Sequence, residues 1–185
     1  MLKRSFLFVS ILLSLFVAGC SSQDEQNDAN AILSTNEFVL KDLSKKEYVI
    51  KKHNQGFVLQ GSEDKILILD IFATWCPPCQ AEAKHLTHLQ KVYKDKLVVI
   101  GITVEDNIED TKLINFRDKH NAKYPLANSS ENRRIINEVA KKLNVGRNFG
   151  IPLMAMYKDG KLINYYQGAT EEEFIESDIK RALGK

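Results

Sequence analysis

The chain has 185 residues, 44% of them hydrophobic and 27% charged, with a formal net charge of +2. That length is a prior for one domain with appendages, and the composition is that of a soluble globular protein. Lys3 and Arg4 account for the excess charge, because without residues 1–19 the chain carries 24 basic and 24 acidic side chains. A balanced chain has no steering field to explain, and nothing in it suggests a nucleic-acid partner. Three cysteines are present, Cys20, Cys76 and Cys79, and the odd one needs an explanation.

In chain order, residues 1–4 are a short basic start and residues 5–17 are almost wholly apolar. The apolar run is too short for an ordinary membrane span and fits the core of a secretory signal. It ends in Val17-Ala18-Gly19-Cys20, which looks like a bacterial lipobox. The resemblance implies a lipid on Cys20 and cleavage before it. An uncleaved anchor, or a simple signal in which Cys20 is incidental, is the alternative. With Cys20 lipidated, the other two cysteines form one redox pair. Acyl chains contribute about 0.8 kcal/mol per buried methylene, so the protein would be anchored to a membrane and not span it. Residues 21–36 are mostly polar and read as a flexible tether. The expected division is therefore a signal peptide over 1–19, a lipidated tether over 20–36 and a folded domain over 37–185.

Within the domain, residues 38–40 and 48–50 predict an N-terminal β-hairpin, and residues 57–59 another short strand. Residues 66–73, Ile-Leu-Ile-Leu-Asp-Ile-Phe-Ala, read as a strand buried on both faces. A helix is expected over 79–93, a second buried strand over 97–104 and a helix over 108–120. A short strand is expected over 123–126 and a helix over 131–143. Residues 153–157 and 162–166 flank Asp159-Gly160, a tight-hairpin signal. Thr170 with Glu173 reads as a capping box opening the last helix. Strands alternating with helices predict a layered α/β domain closed by an antiparallel hairpin.

Trp75-Cys76-Pro77-Pro78-Cys79 lies between the buried strand and an amphipathic helix. At a helix start this spacing puts both sulfurs on one face, at disulfide separation. Free amides and the helix dipole favour a thiolate on Cys76, the expected nucleophile. Cys79, expected to be the less exposed, would resolve the mixed disulfide. A permanent disulfide would constrain so small a loop little. A zinc site would need two further ligands, and His85 and His88 read as solvated helix residues. Neither Pro77 nor Pro78 has an N–H, which weakens thiolate stabilisation and makes the couple more reducing.

Asp70 is the one charged residue in the 66–73 run. Burial would raise its pKa and place it to take the Cys79 proton through water; a strand acid with a solvent path is the alternative. Glu82 is a second proton-transfer candidate, with a solvated first-turn acid weighing equally. Ile151-Pro152 precedes a strand, where proline is awkward in a ladder. A cis peptide facing the cysteines resolves that, and a trans proline at strand entry is the alternative.

Together these residues resemble the thioredoxin superfamily, and within it the TlpA/ResA-like group. Residues 68–79, Ile-Leu-Asp-Ile-Phe-Ala-Thr-Trp-Cys-Pro-Pro-Cys, carry the match; 98–104, 123–126, Ile151-Pro152 and 159–161 follow in order. The resemblance implies a thioredoxin fold, with a central mixed β-sheet flanked by helices, an N-terminal β-hairpin and a βα insertion between 104 and 126. It implies Cys76 as nucleophile, Cys79 as resolving cysteine, Asp70 as the buried acid and Glu82 as a buried glutamate near the disulfide. Trp75 becomes the aromatic flank, and Ile151 beside Pro152 pairs with substrate backbone. Against that family's pattern, Leu153 stands where Thr is common, and the resemblance implies that residues 145–150 are a longer segment bordering the substrate groove.

The expected function is an extracytoplasmic thiol–disulfide oxidoreductase that reduces client disulfides, with cytochrome c maturation as one setting. The redox-active Cys76–Cys79 pair needs no cofactor and no metal. Expected partners are client proteins bearing disulfides or thiols, a membrane thiol-electron donor, and a membrane held through Cys20; the protein is expected to be a monomer. A disulfide-forming oxidase on the same residues, a redox-silent binding module or chaperone, and a thiol peroxidase are the competing readings.

Overall fold

A computed structural model describes residues 36–185. Its elements are β1 (Glu37–Lys41), β2 (Glu47–His53), β3 (Gly56–Leu59), β4 (Ile66–Phe72), α1 (Pro77–Val92) and β5 (Leu97–Thr103). There follow α2 (Asp110–His120), β6 (Leu126–Ala127), α3 (Asn132–Leu143), β7 (Leu153–Lys158), β8 (Lys161–Gln167) and α4 (Glu172–Ala182). The expected signal peptide, Cys20 and all but the last residue of the expected tether lie outside the described residues.

The main sheet has five strands in the order β6-β5-β4-β7-β8. β4, β5 and β6 run parallel, while β7 and β8 are antiparallel to their neighbours. The expected hairpin forms from β1 and β2, and β3 extends it into a separate three-stranded antiparallel sheet. This is the mixed, helix-flanked thioredoxin fold, and its additional helix and short strand between β5 and α3 are α2 and β6.

β4 is buried at every position, and its pleat sorts alternate side chains to opposite faces. Ile66, Ile68 and Phe72 join one cluster with Leu86 of α1, Leu113 of α2 and Ile175 of α4. Leu67, Leu69 and Ile71 join another, with Phe38, Ile50 and Phe57 of the small sheet and Ile135 and Val139 of α3. Each fully buried aliphatic side chain of this kind stabilises by about 1.5–3 kcal/mol. Asp70 shares the parity of Ile68 and Phe72, so β4 presents it to the α1 side.

The β7–β8 turn forms as its Asp-Gly predicts: Asp159 and Gly160 have φ of 53° and 70°, the left-handed pair of a tight hairpin. Gly160 is also required by space, since a Cβ there would lie 2.5 Å from His53 Cδ2.

Three expectations are corrected. The strand expected at 123–126 is the two-residue β6, shifted towards its C-terminal end. Only Leu126 and Ala127 reach the register of Gly101 and Ile102. The capping box at Thr170 and Glu173 does not form. Glu171 is the N-cap of α4 without a side-chain cap hydrogen bond, and Thr170 Oγ1 instead donates to the Gly168 carbonyl at 3.5 Å. The helix expected from Cys79 begins at Pro77, because prolines at the first helical positions forfeit only amides that have no intrahelical partner.

Candidate active site

The end of β4, a short turn and the first turn of α1 bring the cysteines together. Cys76 is the N-cap of α1 in an extended backbone conformation (φ −86°, ψ 109°). Its sulfur accepts the Cys79 N–H at 3.3 Å. With Pro77 and Pro78 at the intervening positions, that amide is the one first-turn donor reaching the sulfur. Cys76 and Cys79 are joined in a disulfide, with Cα atoms 5.3 Å apart. Both residues are 3% exposed, so the expectation that Cys79 is the less exposed is corrected. Trp75, the residue before Cys76, is by contrast 65% exposed.

The Ile151–Pro152 peptide bond is cis, and the Ile151 carbonyl oxygen lies 3.8 Å from Cys76 Sγ. Pro152 is buried and Ile151 half-buried, and the two enter β7 beside the pair. Ile151 thus meets Cys76, with Pro152 next to it in the chain and Trp75 next to Cys76. In the 145–150 segment, Val145 and Phe149 pack against the β1–β3 side of the core.

Asp70 and Glu82 are both buried on the α1 side of the sheet. Burial pushes the Asp70 carboxyl well above the usual range, and a hydrogen bond from Tyr124 opposes that shift. Tyr124 Oη donates to Asp70 Oδ2 at 3.1 Å, while Asp70 Oδ1 has no hydrogen-bond partner. Burial also raises Glu82, the neighbouring Asp70 charge raises it further, and the Thr170 backbone N–H pulls it weakly down. Neither Glu82 oxygen has a hydrogen-bonding partner at ordinary distance. Two carboxyls sharing a buried site do not both ionise easily, so at least one holds its proton near neutrality.

Several contributors carry no local sequence signal. Tyr124 reaches Asp70 across 54 positions of chain. Glu105 accepts the Thr74 N–H at 2.6 Å and the Thr74 hydroxyl at 3.0 Å, and Gln80 Nε2 donates to the Thr74 carbonyl at 2.8 Å. These bonds clamp the turn that carries Trp75 and Cys76. Of the two histidines on α1, His88 is exposed and contacts Glu172 of α4, whereas His85 is half-buried with an unpartnered Nδ1. Among the described residues no three His, Cys, Asp or Glu side chains are grouped to hold a metal ion. Nor is any described helix long and apolar enough to cross a membrane.

The family model described as Redoxin matches residues 42–183. The chain is 29% identical over 126 residues to the thiol-disulfide oxidoreductase ResA of Bacillus thuringiensis subsp. konkukian, covering 66% of each protein. It thus spans just under two thirds of that relative's length. A thioredoxin-family thiol:disulfide interchange protein of Chlorobium tepidum superposes with a TM-score of 0.64 at 22% identity, over 80% of this chain and 94% of the other. The exposed lipoprotein thioredoxin of Streptococcus pneumoniae does so with a TM-score of 0.55 at 19% identity, over 78% and 98%. Both structural likenesses bear on the fold.

Proposed function

The chain belongs to the Redoxin family, and on that premise we propose that it is a thiol–disulfide oxidoreductase that reduces the disulfides of extracytoplasmic client proteins. The observation that carries the reading is the bridged Cys76–Cys79 pair at the N-terminus of α1, with two buried carboxyls on the same side of the sheet.

In the reduced protein, the Cys76 thiolate attacks a client disulfide. A bond forms between Cys76 Sγ and one client sulfur, and the other client sulfur leaves with the electron pair and takes a proton. Asp70 takes the Cys79 proton, and the resulting thiolate attacks Cys76 Sγ. The Cys76–Cys79 disulfide forms, and the second client sulfur leaves as a thiolate. The client gains two electrons, the protein loses two, and a membrane dithiol donor restores the starting state. Ile151 offers backbone to an extended client segment beside Cys76, and Trp75 flanks that segment. Glu82 serves as a second proton-transfer group in the same buried site.

The reducing direction is supported by what surrounds Cys76. One amide, from Cys79, reaches its sulfur, and an ionised carboxylate buried nearby disfavours a second negative charge. A poorly stabilised thiolate makes the dithiol a stronger reductant. A lipid on Cys20, after cleavage of residues 1–19, and a tether over 20–36 would hold the domain of residues 37–185 at a membrane. The apolar run and Val17-Ala18-Gly19-Cys20 support this. Apocytochromes c awaiting haem attachment are one client class with the right chemistry.

The test is the reduction potential, read from Trp75 fluorescence in dithiothreitol or glutathione buffers. A value at or below about −250 mV is expected. A value between about −120 and −180 mV would make the protein an oxidant or isomerase and overturn the direction.

A further inference from the structure

We propose that Tyr124 is a positioning residue that makes Asp70, and not Glu82, the ionised member of the buried carboxyl pair and holds it ready for the Cys79 proton. The inference rests on the reading of Asp70 as the proton acceptor.

The geometry distinguishes the two acids. Asp70 Oδ2 accepts the Tyr124 hydroxyl at 3.1 Å, whereas Glu82 has no side-chain donor and faces only the Thr170 backbone N–H, which lies beyond ordinary hydrogen-bond distance. A donor on one carboxylate of a repelling pair decides which ionises first. It also leaves Asp70 Oδ1, which accepts nothing from the protein, as the oxygen free to take a proton. Tyr124 remains a donor throughout, because burial and then the Asp70 charge hold its own hydroxyl far above the usual tyrosine range.

The fold makes room for this contact. Gly101 of β5 stands beside Asp70 in the β4–β5 register. A Cβ at Gly101 would lie 3.0 Å from Tyr124 Cε2 and 2.8 Å from Leu126 Cδ2. The glycine is therefore the notch in which the Tyr124 ring lies. The titratable groups facing Asp70 are Tyr124 from the segment before β6, and Glu82 and the cysteine pair from α1. β7 places Met154 opposite it, and α2 and α4 supply the apolar Leu113, Phe116, Ile175 and Ile179 to the same cluster.

The experiment measures single-turnover reduction of a synthetic peptide disulfide by the reduced full chain, from about pH 5 to 9. It compares wild type, Tyr124→Phe, Asp70→Asn and the double variant. A hydrogen bond to a charged acceptor is worth enough that Tyr124→Phe should move the acid limb up by about one pH unit. The rate should fall by up to about tenfold where that limb controls it. Asp70→Asn should remove the limb, and Tyr124→Phe should add nothing to it. Replacing Tyr124 alone with a monofluorinated tyrosine, a stronger donor of nearly the same shape, should move the limb down; this variant serves if the Phe variant does not fold. The proposal is overturned if neither Tyr124 variant moves the limb, or if Tyr124→Phe slows the Asp70→Asn protein as much as wild type. If Asp70→Asn itself retains the wild-type profile, the assignment of Asp70 as acceptor fails and Tyr124 falls with it. A profile altered by Asp70→Asn alone sinks only Tyr124.

Discussion

On one face of β4, Leu67, Leu69 and Ile71 meet the small sheet and α3 through aliphatic and aromatic partners. On the other, the row Ile66, Ile68, Phe72 is interrupted by Asp70 and faces Glu82 and the cysteines across the α1 interface. Both faces are dry. The first also hides an unpartnered polar atom, the Tyr157 hydroxyl, but burial only pushes that phenol further from ionisation and it stays neutral. A buried carboxyl in the same kind of environment has its pKa pushed up towards neutral pH. Equal burial thus gives pure packing on one face and carboxyls with raised pKa values on the other, and the difference lies in which groups are buried.

Breaking the reactive face outright should have the largest effect. Cys76→Ser is expected to abolish reduction of a peptide disulfide while leaving the circular dichroism spectrum unchanged, since the small loop adds little stability. Retained activity in a cellular assay would instead favour a redox-silent binding module. The opposite face should respond in stability alone. Leu69→Ala removes a fully buried side chain and should cost about 2–5 kcal/mol in urea unfolding. The pH profile of disulfide exchange should not move, and if it did, the two faces would not be independent.

The smallest effect sharpens the contrast. Glu82 has a raised pKa in the folded state, so it is protonated there after its unfolded counterpart has ionised. Its contribution to stability is undiminished below the unfolded value of about 4.3 and falls as pH rises towards the folded value. The loss amounts to roughly 1.4 kcal/mol for each unit of difference. Glu82→Gln should therefore flatten the decline in stability between about pH 4 and pH 8. Unfolding curves with the wild-type slope would show that Glu82 titrates as a solvated acid.

Among the secondary elements, most signals confined to a few residues are legible in the sequence, and signals needing a partner are not. The apolar run at β4 and the Asp159-Gly160 turn are each fixed by neighbours in sequence. The sequence misplaces β6 because its two residues are strand only through pairing with Gly101 and Ile102. The capping box at Thr170 matched a local pattern, but the chain turns into α4 one residue later. The cysteine pair and its helix-start placement were legible because the chemistry is written in five consecutive residues.

The amino-acid sequence by itself determined the redox motif, its place between a doubly buried strand and a helix, and the presence of one acid inside that strand. Periodicity and turn chemistry act over a few residues, so they need no folded structure to be read. The tertiary structure alone decided that Asp70 is answered by Tyr124, that Gly101 makes room for the ring, and that Glu105 clamps the turn at Thr74. It also turned Glu82 inward beside Asp70. Those contacts join positions 12 to 54 residues apart, and burial sets a carboxyl's proton affinity through the whole surrounding shell.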